Sequence, residues 1–164
     1  MNIILAQTSQ CTYDSQFWFG AIQTTVVTIS LFFVGIQIRD GAKSVRSQTY
    51  QAIISSYAEI EARIGQDSET ARIYYLGCKH PNKLKTEAEK IRFRQIICSI
   101  FNFFENLHYQ YKSGLLEPIL WAGWCNLMRQ KLEEPGVKEY WHAAKNLYSK
   151  DFCDYVDSGK CPKN

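Results

Sequence analysis

The sequence predicts an all-α protein: one N-terminal transmembrane helix followed by a small bundle of four to five helices. Three observations carry this expectation. Residues 17–38 contain no Asp, Glu, Lys, Arg or His. Beyond residue 44, apolar residues recur at helical spacing, and no segment alternates with the period of two that marks a strand. Cap residues and Gly/Pro breaks then divide that region into helix-sized pieces.

The apolar run, FWFGAIQTTVVTISLFFVGIQI, would span about 30 Å as a helix, the thickness of a hydrocarbon core. A cleaved signal peptide calls for a basic leader and small residues before the cut. Residues 1–16 carry only Asp14, and Gly35-Ile36-Gln37-Ile38-Arg39 offers no such site, so an uncleaved anchor fits better. Arg39, Lys43 and Arg46 follow the run, which places the C-terminal side in the cytoplasm and leaves 1–16 as a short outer tail. The expected location is the cell (inner) membrane, crossed once. Trp18 suits the outer headgroup level. Gly20, Thr24 and Thr28 lie on one helix face, where small residues admit a second helix and homo-dimerisation. The same hydroxyls can instead bond back to their own helix.

Residues 39–157 form the expected cytoplasmic domain, long enough for a core of its own. The 19 basic residues all lie beyond the run, against 15 acidic ones there, a formal +4. That charge is too small and too scattered to argue for nucleic acid, and no nucleic-acid partner is expected, although Arg39–Arg46 can attract anionic lipid weakly. Five of the six cysteines would then be cytoplasmic and reduced, with Cys98 and Cys125 as small core residues; on the oxidising side they become disulfide candidates. Cys78, His80, Cys153 and Cys161 lack the spacing of common zinc motifs.

Element by element, 44–64 reads as a helix with a stripe of Tyr50, Ile53, Tyr57, Ile60 and Ile64, stopped by Gly65. Asp67 caps a short helix over 68–76 that Gly77 ends, and 78–85 is a loop. Thr86 and Glu89 form a capping box for a long helix to about Ser113, with Gly114 beyond it. Phe93, Ile96, Ile97, Ile100, Phe103, Phe104, Leu107 and Tyr111 share its broad face. Ile91, Cys98, Asn102, Glu105 and Tyr109 lie opposite, so this helix should sit centrally, with Asn102 and Glu105 partly buried. Pro118 opens a helix to about Glu133. Glu134-Pro135-Gly136 breaks the chain, one last helix covers 137–156, and 157–164 is a polar, frayed tail.

Glu105-Asn106-Leu107-His108 and Glu139-Tyr140-Trp141-His142 are both E-x-x-H, the ligand pair of carboxylate-bridged di-iron bundles. Glu59 or Glu61 and Glu117 or Glu133 would complete such a set. The intervening helix, however, carries the second pair to the far end of the bundle, about 20 Å away. The bland reading ties Glu105 and Asn102 to loop backbone or an Arg and leaves His108 and His142 as surface or cap residues. A candidate polar site around Asn102, Glu105, His108 and Tyr109 remains. No cofactor motif, nucleophile elbow or phosphate loop occurs.

From Asn102 the line reads N-x-x-E-N-L-x-x-Q-Y-K-S-G-L-L, then Trp121, E-P-G-V-K-E-Y-W and D-F-C-D-Y-V-D. With one span before it, this resembles a group of uncharacterised bacterial single-pass membrane-anchored helical proteins. Asn102, Glu105, Gly114, Trp121, Pro135, Gly136, Trp141 and Phe152 match that pattern. The resemblance implies the layout, an anchor and a helical domain, and no particular activity. The expected role is therefore non-enzymatic: a membrane-bound domain that binds a protein partner or itself. A di-metal enzyme or a small-ligand sensor are the alternatives.

Overall fold

The computed structural model describes residues 2–162, with side chains from Trp18 onward. Among these residues there are no strands. The helices are α1 (Asn2–Gly65), α2 (Ser68–Lys79), α3 (Glu87–Lys112), α4 (Pro118–Leu132), α5 (Pro135–Ala144) and α6 (Lys150–Asp157), with 3₁₀ turns at Pro81–Lys83 and Lys145–Leu147. The fold class is thus the expected one, a long apolar N-terminal helix followed by a helical bundle. Contacts divide the chain into two units, residues 1–45 and residues 46–164.

In the first unit, the side chains from Trp18 to Gly35 are all exposed. This part of α1 is long and apolar enough to cross a membrane: an 18-residue window has a mean hydropathy of 1.8, and none of it is buried. The hydroxyls inside it are satisfied locally. Thr24, Thr25, Thr28 and Ser30 each donate to the carbonyl four residues earlier, at 2.8–2.9 Å. An unbonded hydroxyl would be costly in hydrocarbon, and back-bonding removes that cost.

The second unit begins in the last five turns of α1. Ile53 is buried there, and Tyr50, Tyr57, Ile60 and Ile64 pack against the core, as their spacing predicts. Asp67 caps α2 by accepting from the Thr70 N–H at 2.8 Å. The Thr86–Glu89 capping box is present at the start of α3. Glu89 also accepts from the Lys85 N–H and pairs with Arg72 of α2, so one carboxylate joins both helices; its carboxyl is held down to about 2, chiefly by Arg72. Gly114, at φ +71°, takes the left-handed conformation that ends α3.

Helix α3 is the axis of the bundle, packed on α2, α4 and α5. Its buried residues include Phe93, Ile97, Ile100, Phe101, Phe103, Phe104, Leu107 and His108. Aromatic rings fill three sides of it. Phe103 meets Tyr57 and Trp124 at 5.2 Å each. Phe101 stacks on Trp141 at 5.0 Å and on Tyr140 at 5.9 Å. His108 lies among Trp121, Phe152 and Tyr155.

Two boundaries differ from expectation. Helix α2 continues through Gly77 to Lys79, so Cys78 is a buried helical residue rather than the start of a loop. Gly77 serves close approach, not termination. A Cβ on Gly77 would meet the Phe93 ring at 2.2 Å, and one on Gly136 would meet the Gly77 carbonyl oxygen at 1.8 Å. The α2 and α5 backbones therefore cross in direct contact, glycine on glycine.

The expected last helix over 137–156 is instead two helices around a 3₁₀ turn. The turn doubles the chain back on itself. Tyr140 and Tyr148 share a hydroxyl hydrogen bond of 2.9 Å, and Trp141 Nε1 donates to Asp157 at 2.9 Å. In a straight helix those pairs would stand about 12 and about 24 Å apart. Residues 158–162, expected to fray, are tied down: Arg129 donates to the Lys160 carbonyl at 3.2 Å, and Cys161 is disulfide-bonded to Cys125. Cys125 is thus not the reduced core thiol expected of a cytoplasmic domain. Residues 163 and 164 lie outside the described residues, as do the side chains before Trp18, Cys11 included.

Candidate functional site

Four residues formed the candidate polar site, and the fold separates them. Asn102 is exposed and faces the groove between α1 and α3. Tyr109 is 68 % exposed and joins no cluster. Only Glu105 and His108, one turn apart on α3, turn to the same neighbour, α6. Asn102 is therefore not partly buried as expected, and His108, expected at the surface or in a cap, is only 4 % exposed.

The Glu105 carboxylate accepts from the Ser149 backbone N–H at 2.7 Å. Ser149 is the N-cap of α6 and makes no side-chain cap of its own, so α3 supplies half of a capping box from another helix. His108 Nδ1 lies 3.7 Å from Asp151 Oδ2, and Lys112 Nζ donates to Asp151 Oδ1 at 3.3 Å. Burial holds the His108 imidazole below its usual range; Asp151 opposes that shift and Lys112 adds to it. The imidazole sits in an aromatic cage, 4.6 Å from the Tyr155 ring. This seam does structural work: it seats the first turn of α6 on α3.

The other end of α6 is held by residues that sequence reasoning passed over. Arg129 of α4 donates to the Val156 and Tyr155 carbonyls, satisfying the acceptors that a helix C-terminus leaves open. Burial lowers its guanidinium below the ordinary range, and its ring-side contact is Tyr155 at 5.8 Å. Asp157 accepts from Trp141 Nε1 and from Lys145 Nζ. The available signal was small: a single Arg in the apolar pattern of α4, and two cysteines 36 residues apart.

The E-x-x-H pairs do not meet a common neighbour. Glu105 is committed to Ser149, and Glu139 and His142 lie on the exposed side of α5. Among the described residues, no three His, Cys, Asp or Glu side chains gather to hold a metal. The Cys78 thiol is buried in α2 and pushed up to about 11 by desolvation.

A groove of about 390 Å³ runs between α1 and α3, with Ile53, Phe103 and Leu107 in its floor and Glu59, Arg63 and Asn106 at its rim. Gln110 Nε2 donates to Asn106 within it, and Gln110 Oε1 is buried without a partner. On the Gly20–Thr24–Thr28 face, the threonine hydroxyls are spent within α1, and glycine leaves open space beside it.

No family model, curated protein or solved structure matches this chain.

Proposed function

We propose that this is a single-pass protein of the cell membrane whose helical domain, on the cytoplasmic face, acts as a binding module for a protein partner or a second copy of itself. One observation carries the anchor. An apolar stretch with every described side chain exposed from Trp18 to Gly35 is unlike the core helix of a soluble domain, which would be covered. Lipid is the cover such a surface asks for, and its back-bonded hydroxyls suit that solvent. Arg39, Lys43 and Arg46 support the cytoplasmic placement of the domain. Its layout agrees with the membrane-anchored helical group that the 102–157 line resembles. Self-association through Gly20, Thr24 and Thr28 is the simplest binding event for such an anchor.

Alkaline carbonate extraction tests the anchor: the full chain stays with the membrane pellet, and a chain lacking 17–38 leaves it. Release of the full chain by carbonate would end this reading. Gly20→Leu should abolish a cross-linked dimer in detergent, and an undiminished dimer would move association elsewhere.

A second reading puts the domain on the oxidising face, and the Cys125–Cys161 disulfide favours it. Reporter fusions at the C-terminus separate the two. A fluorescent protein that matures only in the cytoplasm should light up under the first reading, and a phosphatase that needs disulfides should be active under the second.

A further inference from the structure

We propose that Cys125–Cys161 is a reversible thiol–disulfide site, opened by a dithiol reductant that attacks Cys161. It does not depend on which face of the membrane the domain occupies. The bridge joins the middle of α4 to the chain just past α6, with Cα atoms 5.8 Å apart.

The two sulfurs are not equivalent. Cys125 is fully buried, whereas Cys161 is partly exposed beyond the last helix. An incoming thiolate therefore reaches Cys161. In-line attack makes Cys125 the leaving group, and a neighbouring hydroxyl donor offsets the cost that burial puts on a departing anion. The Tyr155 hydroxyl lies 3.3 Å from Cys125 Sγ. Trp121 Nε1 donates to that same hydroxyl oxygen at 3.1 Å, which turns the Tyr155 O–H toward the sulfur. Arg129, one turn beyond Cys125 on α4, holds the Lys160 carbonyl beside the bridge and adds positive charge there. A stabilised leaving thiolate speeds exchange.

One thiolate of the dithiol forms a bond to Cys161 Sγ, the Cys125–Cys161 bond breaks, and its electron pair stays on Cys125. Cys125 then takes up the proton that the second thiol of the reductant gives up. The second thiol of the reductant attacks the mixed disulfide and releases Cys161. Two electrons pass to the protein, and the dithiol becomes a disulfide. Opening frees Cys161 from α4 and leaves the Lys160 carbonyl held by Arg129 and within reach of the Cys125 thiol, 3.7 Å away.

The test uses the full chain in detergent, without denaturant. Peptide mapping after alkylation should find the Cys125–Cys161 pair linked in oxidised dithiothreitol, reduced about tenfold in abundance under excess dithiothreitol, and restored on re-oxidation. A link that never forms, or one that the native protein keeps under excess dithiol, overturns the proposal. Glutathione disulfide should modify Cys161 in Cys125→Ser at least about tenfold faster than Cys125 in Cys161→Ser. Equal rates would refute attack at Cys161. Tyr155→Phe keeps the ring packing and should slow native opening several-fold; an unchanged rate would remove Tyr155 from the step.

Discussion

Replacing Gly136 with alanine tests the α2–α5 crossing most directly. The new methyl would fall 1.8 Å from the Gly77 carbonyl oxygen, well inside the 3.4 Å at which ordinary contact begins. The obstacle is backbone, so no rotamer change relieves it. Helix α5 must retreat by about 1.6 Å, drawing buried Val137, Tyr140 and Trp141 away from α3. Overpacking of this kind costs about 1–3 kcal/mol, and a rigid obstacle puts it at the upper end. For a domain of this size, about 3 kcal/mol lowers Tm by roughly 10 °C. Thermal unfolding of the detergent-solubilised full chain, followed by near-UV circular dichroism, measures it. Gly123→Ala is the matched control. That position is exposed on α4 with nothing within 4 Å, so alanine should stabilise by about 0.5–1 kcal/mol. If Gly136→Ala shifts stability by less than about 0.5 kcal/mol, the backbone contact is not there.

Three further outcomes are expected. Glu105→Ala removes the cap that α3 lends to α6 and should cost about 1 kcal/mol, with Glu105→Gln recovering part of it; urea unfolding that ranks the two equally would refute the cap. Burial depresses the His108 imidazole, so the unfolded chain binds a proton that the folded one resists. Its contribution is intact above the unfolded value near 6.5 and declines as pH falls through it. The urea midpoint should therefore drop between about pH 7.5 and about pH 5.5 in the native chain, and drop less in His108→Phe. Opening the 36-residue disulfide loop should cost about 3–4 kcal/mol, so Cys161→Ser should melt below the oxidised native protein and at the same temperature as the reduced one.

What was legible in the sequence was local. The Thr86–Glu89 box, the Asp67 cap, Gly114 and the Tyr50–Ile64 stripe each depend on residues within two or three turns, and each is where its spacing put it. At Gly77 the sequence is ambiguous, because a helix stop and a helix crossing both select glycine, and only the Gly136 backbone on α5 distinguishes them. The break after Ala144 left no mark, since Trp141, Ala144, Leu147, Tyr148 and Phe152 keep helical period across it. What bends the chain is a carboxylate 44 residues earlier in sequence, together with two hydrogen bonds that a straight helix cannot make. The polar site failed for a related reason. Asn102, Glu105 and Tyr109 share a region of α3, but their neighbours are three different environments: a groove, α6 and solvent.

The seating of α6 has a consequence for biosynthesis. Eight residues are too few to hold a helix in water, and the clamps on this one reach back as far as 44 residues along the chain. During translation α3 and α4 emerge first, with Trp121 and His108 still uncovered. The ribosome must release Lys150–Asp157 before that aromatic pocket closes, so a nascent bundle stalled short of Ser149 would present its rings to chaperones.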